Sequence, residues 1–471
     1  GIRDRSPSRG LGMCIRDSWN NVLNEALEDH SDVSFLVSAG DQVNYGSNER
    51  EYAGYLGAEA LTSLPVATTI GNHDSVSNQY SLHFNNPNAF SDTDTNYVQG
   101  KTKAGTDYYY RYGNVLFIVL DTNNYNCATH ENVMKKAINE NKDAKWRIVV
   151  FHQDIYGSGY DHSDSDGMVL RTQLTPVIDK YDIDAVLQGH DHTYSRTYQI
   201  TSDGSEHSSY TKAPSSSDAE AFSSYLKDNL CYTLTTGSDD TTKAIDPKGT
   251  VYFEANSATG SKYYQLIGTQ QDYIAARCQS WRPTYSVIDI TDTTLTVKTY
   301  DAATNEELVA DGGVKTAYTI VKQADKTALA DELTKAEEAL SAAKTAGNYT
   351  EESVKALEDT IAAAKAISEN EESTSTDVAS AVTSLQDAVK GLAVVENKDN
   401  TDTDKNGSTD NGSTGDNQNG STDNGNTGNN QNGSTDNTNS GSASSSDSKV
   451  KTGDTARAAV WYTVCLLYTS P

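Results

Sequence analysis

Four short apolar runs in this chain each end on a side chain that can ligate a metal, and no other feature restricts the fold as much. Phe35–Ala39 leads into Gly40-Asp41, and Val66–Ile70 into Gly71-Asn72-His73-Asp74. Arg147–Phe151 leads into His152, and Ala185–Gln188 into Gly189-His190-Asp191-His192. Short β-branched runs separated by helical stretches read as buried strands of an α/β sheet. In such sheets the carboxyl ends of the strands form the ligand crevice. The pattern therefore predicts that Asp41, Asn72, His73, His152, His190 and His192 meet at one sheet edge.

Strand and helix signals alternate from Ser18 to Tyr194. Ser18 is expected to cap a helix whose apolar face is Trp19, Val22, Leu23, Ala26 and Leu27. Gly113-Asn114, between Tyr108–Tyr112 and Val115–Leu120, reads as a hairpin turn. The stretches Gly249–Phe253, Tyr285–Ile290 and Thr294–Tyr300 read as further strands, the last alternating as a half-buried strand does. Residues 18–320 are taken as one domain. From Ala324 the texture changes to alanine, glutamate and lysine. Leu329, Leu333, Ala336 and Leu340 lie at helical spacing, as do Val354, Leu357 and Ile361, then Val378, Val382, Leu385 and Val389. Residues 324–396 thus predict a three-helix bundle, with Thr350 and Thr376 as N-caps of its second and third helices. Residues 397–448 are almost entirely Asn, Gly, Ser, Thr and Asp, too polar to bury a core, and read as a disordered tether.

The two ends are set apart. Residues 1–17 are arginine-rich in an otherwise acidic chain. Met13–Ser18 and Val464–Pro471 resemble in-frame readings of sequencing-adaptor DNA, so residues 1–17 are taken as non-native and the domain as truncated. Residues 449–471 carry a Lys-Thr-Gly-Asp element and a short apolar run, similar to the start of a surface-anchoring signal but too short to span a membrane.

At 471 residues the chain has room for more than one domain. Its formal net charge of −29 disfavours nucleic acid and anionic lipid as partners. An anionic substrate would have to meet local positive charge, which a bound metal pair supplies. Cys14, Cys127, Cys231, Cys278 and Cys465 show no zinc-thiolate spacing, and Cys231 with Cys278 is a pairing the sequence leaves open.

Two cations held about 3.5–4 Å apart need a shared carboxylate with nitrogen and oxygen donors around each. Asp41 suits the bridge. His152 and His190, with the Asn72 carbonyl, suit one ion, and His192 the other. His73 is expected to steady a phosphate or protonate a leaving oxygen, with Asp74 orienting it. Such a pair polarises a phosphoryl group and activates water.

These ordered motifs, Gly40-Asp41, Gly71-Asn72-His73-Asp74, Val149–His152 and Gly189-His190-Asp191-His192, resemble those of the calcineurin-like metallophosphoesterases, closest to the purple-acid-phosphatase-like branch. The resemblance implies a four-layer α/β/β/α sandwich, followed here by the helical bundle and disordered tail. It implies two divalent or trivalent ions (iron, zinc or manganese) and a phosphate-ester small-molecule substrate. It also implies that Asp41 bridges, that Asn72, His152 and His190 hold one ion, that His192 holds the other, and that His73 is catalytic. The family's opening aspartate strand has no counterpart at Asp4 or Asp17, so the first ion is expected to keep mainly Asp41 and His192. The tyrosine ligand of purple acid phosphatases would fall at Asn44, so no iron–tyrosinate colour is expected. The bundle is similar to the three-helix (FIVAR-like) modules of Gram-positive surface enzymes. That similarity implies an exported, wall-attached protein and a cell-wall or host glycan as a second partner.

His30, His83, His130, His162 and His207 read as surface or loop residues, with His162 placed to border the cleft. The rival reading is a non-catalytic surface or glycan-binding protein that uses the phosphoesterase domain as a scaffold.

Overall fold

The computed structural model describes residues 8–91, 93–94, 100–160, 162–163, 167–207, 218–238, 242–395 and 462–467. The tether at 397–448, residues 1–7 and most of the end segment lie outside these residues. The first part of the chain runs α1 (Ser8–Asp29), β1 (Phe35–Ser38), α2 (Glu49–Leu56), β2 (Val66–Thr68), α3 (Gln79–His83), β3 (Tyr108–Tyr112) and β4 (Val115–Val119). Then come α4 (Cys127–Glu140), β5 (Trp146–Val150), α5 (Gly167–Lys180), β6 (Ala185–Gln188), β7 (Tyr194–Thr197), β8 (Ile200–Ser202), α6 (Ala219–Asp228) and β9 (Tyr232–Leu234). The rest comprises β10 (Lys243–Ile245), β11 (Val251–Glu254), β12 (Ile274–Cys278), β13 (Thr284–Ile290), β14 (Thr294–Asp301), β15 (Tyr318–Val321), α7 (Thr327–Ala346), α8 (Glu351–Glu369), α9 (Ser375–Lys390) and β16 (Tyr462–Leu467).

Among the described residues, these strands form two seven-stranded sheets and one two-stranded sheet. The first large sheet runs β10-β15-β14-β13-β16-β1-β2, the second β12-β7-β11-β6-β5-β4-β3. Alternate side chains on a strand face opposite ways, and the core divides accordingly. Phe35 and Val37 meet Phe117, Val119, Ile148, Val150, Leu187, Ile288 and Val297 between the sheets. Leu116, Ile118, Val149 and Val186 face outward onto Met134 of α4 and Leu170 and Leu174 of α5. Leu36 and Val287 face the other way, onto Trp19, Val22 and Leu23 of α1. The result is the expected mixed α/β sandwich of two sheets flanked by helices. Strands β4, β5, β6 and β11 are parallel neighbours, so their carboxyl ends share one edge. Strands β1 and β2 are likewise parallel.

Several local expectations change. Ser18 does not cap a helix: α1 starts at Ser8 and runs through it, taking in part of the segment set apart at 1–17. Residues 462–467, grouped by sequence with the anchor-like end, form the strand between β1, which they pair in parallel, and β13. Cys127, Cys231 and Cys278 are free, so Cys231 and Cys278 do not pair. His130 is not a surface residue. It is fully buried, with Nδ1 at 2.6 Å from Asp107 Oδ2 and Nε2 at 2.8 Å from the Asn124 carbonyl. Among the described residues, no helix is long and apolar enough to cross a membrane.

Helices α7, α8 and α9 bury Leu329, Ala336, Leu357, Ile361, Val378 and Leu385 against one another. Thr350 caps α8, its side chain accepting from Ser353 N–H. The third helix is capped by Thr374 rather than Thr376. Thr374 accepts from Asp377 N–H while Asp377 accepts from Thr374 N–H, a complete capping box.

Candidate metal centre

Each predicted ligand sits just past a strand end. Asp41 follows β1, Asn72 follows β2, His152 follows β5 and His190 follows β6. The two parallel sets of strands aim these ends at each other across the top of the sandwich. Donor atoms of Asp41, His152 and His190 all lie within 4.8 Å of one another, and all three residues are buried. His152 Nε2 is the hub, at 3.3 Å from Asp41 Oδ2, 2.9 Å from Asn72 Oδ1 and 3.1 Å from His190 Nδ1.

The surrounding backbone fixes which nitrogens face inward. His152 Nδ1 donates to the Ala39 carbonyl at 2.9 Å, which leaves the Nε2 lone pair for the centre. His192 Nδ1 donates to the Lys262 carbonyl at 2.9 Å and so presents Nε2 in the same way. Burial pushes the His192 pKa down to about 3, so the ring stays neutral and able to ligate. Burial alone would raise the Asp41 carboxyl, but the neighbouring His152, His73 and His190 rings hold it well below the ordinary carboxylate range.

Local backbone geometry is unusual here. Asp41, His190 and His192 adopt φ values of 51°, 77° and 47°, in the left-handed region that non-glycine residues rarely enter. Such conformations cost of order 1 kcal/mol or more each and cluster at functional sites. Gly71 is required by close approach, because a Cβ there would overlap the Asp41 carboxylate.

His73 lies at the rim. Its backbone N–H donates to Asp41 Oδ1 at 2.9 Å, and its Nε2 stands 3.9 Å from Asp41 Oδ2 with the side chain 35% exposed. Its orienting partner is not Asp74. The His73 Nδ1 pairs with the Asn44 carbonyl at 2.7 Å. Asp74 is fully buried and accepts instead from Gly71 N–H at 3.0 Å and Gln42 N–H at 3.3 Å, tying the two ligand loops together. Burial, and then the Asp41 charge, raise the Asp74 pKa well above the usual carboxylate range.

His192 stands outside the group of three, close enough that the Asp41 and His190 charges act on it. Its ring packs on Tyr264, with centroids 5.2 Å apart. His162 lies over His190, with ring centroids 3.8 Å apart, and its Nε2 is 3.3 Å from the Tyr264 hydroxyl. Lys262 and Tyr264 were not anticipated, since no motif or strand end marks them in the sequence. Lys262 Nζ sits 4.3 Å from the Tyr264 ring centroid and is solvent-exposed, so it brings a positive charge to the rim.

The donor set fits a transition-metal centre: imidazole nitrogens, one ionised carboxylate and one amide oxygen, with the Ala39 and Lys262 backbone carbonyls fixing the tautomers of His152 and His192.

The family model of the calcineurin-like phosphoesterases matches residues 15–194, which include every ligand candidate above. Among solved structures, a purple acid phosphatase from yellow lupin seeds is similar at 13% identity and a TM-score of 0.42, covering 64% of this chain and 49% of that one. The chain thus spans about half the length of the lupin protein. The anchor protein of the Plasmodium inner membrane complex is similar at 15% identity and a TM-score of 0.36, covering 64% of this chain and 85% of that one. The N-terminal domain of the group B Streptococcus alpha C protein is similar at 18% identity and a TM-score of 0.14, covering 23% and 67% respectively. No curated protein matches the chain.

Proposed function

We propose that this protein hydrolyses phosphate esters at a dinuclear metal centre held by Asp41, Asn72, His152, His190 and His192. The observation that carries the reading is the convergence of Asp41, His152 and His190, from ends of strands in two different sheets, to within 4.8 Å. Metal ions bound there would supply Lewis acidity toward phosphoryl oxygens and toward an attacking water. The chain's own residues do the rest. Carbonyls of Ala39 and Lys262 hold the imidazoles in ligating tautomers. Asp74 fixes the Gly71 and Gln42 backbones, and so the spacing of Asn72 from Asp41. His73, anchored on Asn44, offers Nε2 at the open rim, where it steadies a bound phosphate or protonates the leaving oxygen. We further take the protein to be exported and attached to a Gram-positive cell surface. The polar tether at 397–448, the Lys-Thr-Gly-Asp element and the helical bundle support that placement.

The test is turnover of p-nitrophenyl phosphate and bis(p-nitrophenyl) phosphate by the full chain after chelation and reloading with manganese, zinc or iron. Activity should return with metal and fall by about a thousandfold or more in Asp41→Asn and in His190→Ala. Metal-independent activity, or full activity in both variants, would remove the assignment. No turnover under any loading, with retained glycan binding, would favour the scaffold reading.

A further inference from the structure

Two of the strand ends that carry the histidine centre, with a third, carry a second group of ligating side chains. Asp154 follows β5, Asp191 follows β6, and Glu254 closes β11. A carboxylate oxygen from each lies within 4.8 Å of the other two. The residues are 0%, 0% and 1% exposed. Among the described residues, no basic side chain pairs with any of them. Their hydrogen bonds come from neutral donors. Glu254 Oε1 accepts from Thr193 Oγ1 at 2.6 Å, and Oε2 accepts from the Ser195 hydroxyl and from Ser158 N–H, the latter at 3.2 Å. Asp191 Oδ2 accepts from Ser163 N–H at 3.0 Å and faces the Ser163 hydroxyl at 2.5 Å. That hydroxyl also touches Asp154 Oδ2, although it has one proton to give.

What remains unmet points to a ligand. Asp154 Oδ1, Asp191 Oδ1 and the Ser158 hydroxyl are buried and make no hydrogen bond. Ser158 is held against the group from both sides. A Cβ on Gly157 would overlap the Asp154 and Glu254 carboxylates, and one on Gly159 would overlap Asp191. Buried unsatisfied oxygens in a packed interior call for an ion or a water. Buried carboxylates with no positive partner call for a cation or for protons.

We propose that Asp154, Asp191 and Glu254, with the Ser158 hydroxyl, form a structural site for one hard divalent cation, with calcium the best match. Calcium takes oxygen donors at about 2.3–2.6 Å, so oxygens on one ion lie within about 5 Å of each other, the spacing found here. The donor set lacks nitrogen and sulfur, which separates it from the imidazole centre and disfavours zinc. Protons are the rival occupants. Burial and mutual repulsion push Asp154 up, and Glu254 up to about 8, when no cation is present. A proton shared by Asp154 and Asp191 joins those two carboxylates, yet it leaves the buried Ser158 hydroxyl unmet. A cation meets these oxygens together and ties Asp154 and Ser158 to β6 and β11.

The experiment is calcium titration of the chelated full chain by calorimetry and thermal melting, with calcium chloride as the only added metal. The expected result is one calcium per chain and a rise in Tm of about 5 °C at saturating calcium. Both should persist in Asp41→Asn/Asn72→Ala, which disables the histidine centre alone. Calcium affinity should fall at least tenfold in Glu254→Gln, which keeps shape and hydrogen bonding, and by a smaller factor in Ser158→Ala. Far-UV circular dichroism verifies that each variant is folded. If Glu254→Gln fails to fold, Ser158→Ala decides. No calcium effect on the parent chain between pH 5 and 9 would overturn the proposal in favour of shared protons. Loss of binding in Asp41→Asn/Asn72→Ala, or unchanged affinity in Glu254→Gln and Ser158→Ala, would overturn it in favour of the histidine centre.

Discussion

The histidine centre and the carboxylate group share two strand ends, yet they suit different chemistry. The end of β5 supplies His152 to one and Asp154 to the other, and the end of β6 supplies His190 and Asp191. The first gathers imidazole nitrogens around one ionised carboxylate and opens to solvent past His73, which is 35% exposed. The second is all oxygen and sealed, its three acids at most 1% exposed. Small steps along a backbone leaving a strand thus divide neighbouring buried residues between a centre that reaches solvent past His73 and a closed interior. Donor type and water access, more than proximity, separate a site for chemistry from a site for cohesion.

That contrast can be broken most decisively at Asp41. Asp41→Asn should cost about three orders of magnitude in metal-dependent phosphoester turnover and leave the calcium-linked Tm rise in place. If the Tm rise vanished with the activity, the two clusters would be one site.

The next test uses a buried acid that has its own counter-charge. Asp107 is 1% exposed and paired with His130. His130→Ala should destabilise the domain by roughly 3–5 kcal/mol in urea unfolding, because it leaves a buried carboxylate alone. Calcium should not rescue it. Burial by itself would lower the His130 pKa, but Asp107 raises it above the ordinary histidine value of about 6.5. Its contribution is therefore full below that value and fades as pH rises through the folded one. A flat urea midpoint between pH 6 and 9 would contradict the pairing.

A third measurement sharpens the carboxylate side. Without calcium, the Glu254 pKa rises from 4.5 to about 8, so the folded state holds a proton that the unfolded state releases. Stability should then fall as pH rises from about 5 to 8, the opposite of an ordinary salt-bridged acid. Saturating calcium should flatten that slope, and a slope unchanged by calcium would argue for protons alone.

The smallest effect lies in the helical bundle, far from either cluster. Thr374→Ala removes a complete capping box and should cost about 1 kcal/mol, while Thr376→Ala should stay within about 0.5 kcal/mol. Equal losses at both positions would return the cap to the place the sequence suggested.

The fold and much of the histidine centre were legible because their signals are local. A short β-branched run marks a strand whatever its neighbours, and a ligand set needs particular residue types directly after it. Gly71-Asn72-His73-Asp74 and Gly189-His190-Asp191-His192 announce themselves within four residues each. Roles set by distant partners were not legible. Asp74 looked like the orienting group for His73 because it is adjacent in sequence, but in space the nearest acceptor is the Asn44 carbonyl. His130 looked like a surface residue because its partner Asp107 lies 23 positions away. Thr376 and Thr374 are equally good caps by type, and only the reach of Asp377 back to the Thr374 N–H separates them.

By itself, the sequence determined an α/β sandwich with metal ligands at its strand ends and an alanine-rich helical bundle behind it. Apolar periodicity and ligand chemistry are properties of short segments. Only the tertiary structure decided that residues 462–467 lie between β1 and β13, and that Asp41, His190 and His192 adopt left-handed backbones. It alone brought Asp154, Asp191 and Glu254, spread over a hundred positions, to share one buried space. Strand pairing, backbone strain and burial are settled by contacts between residues remote in the chain, and no local pattern encodes them.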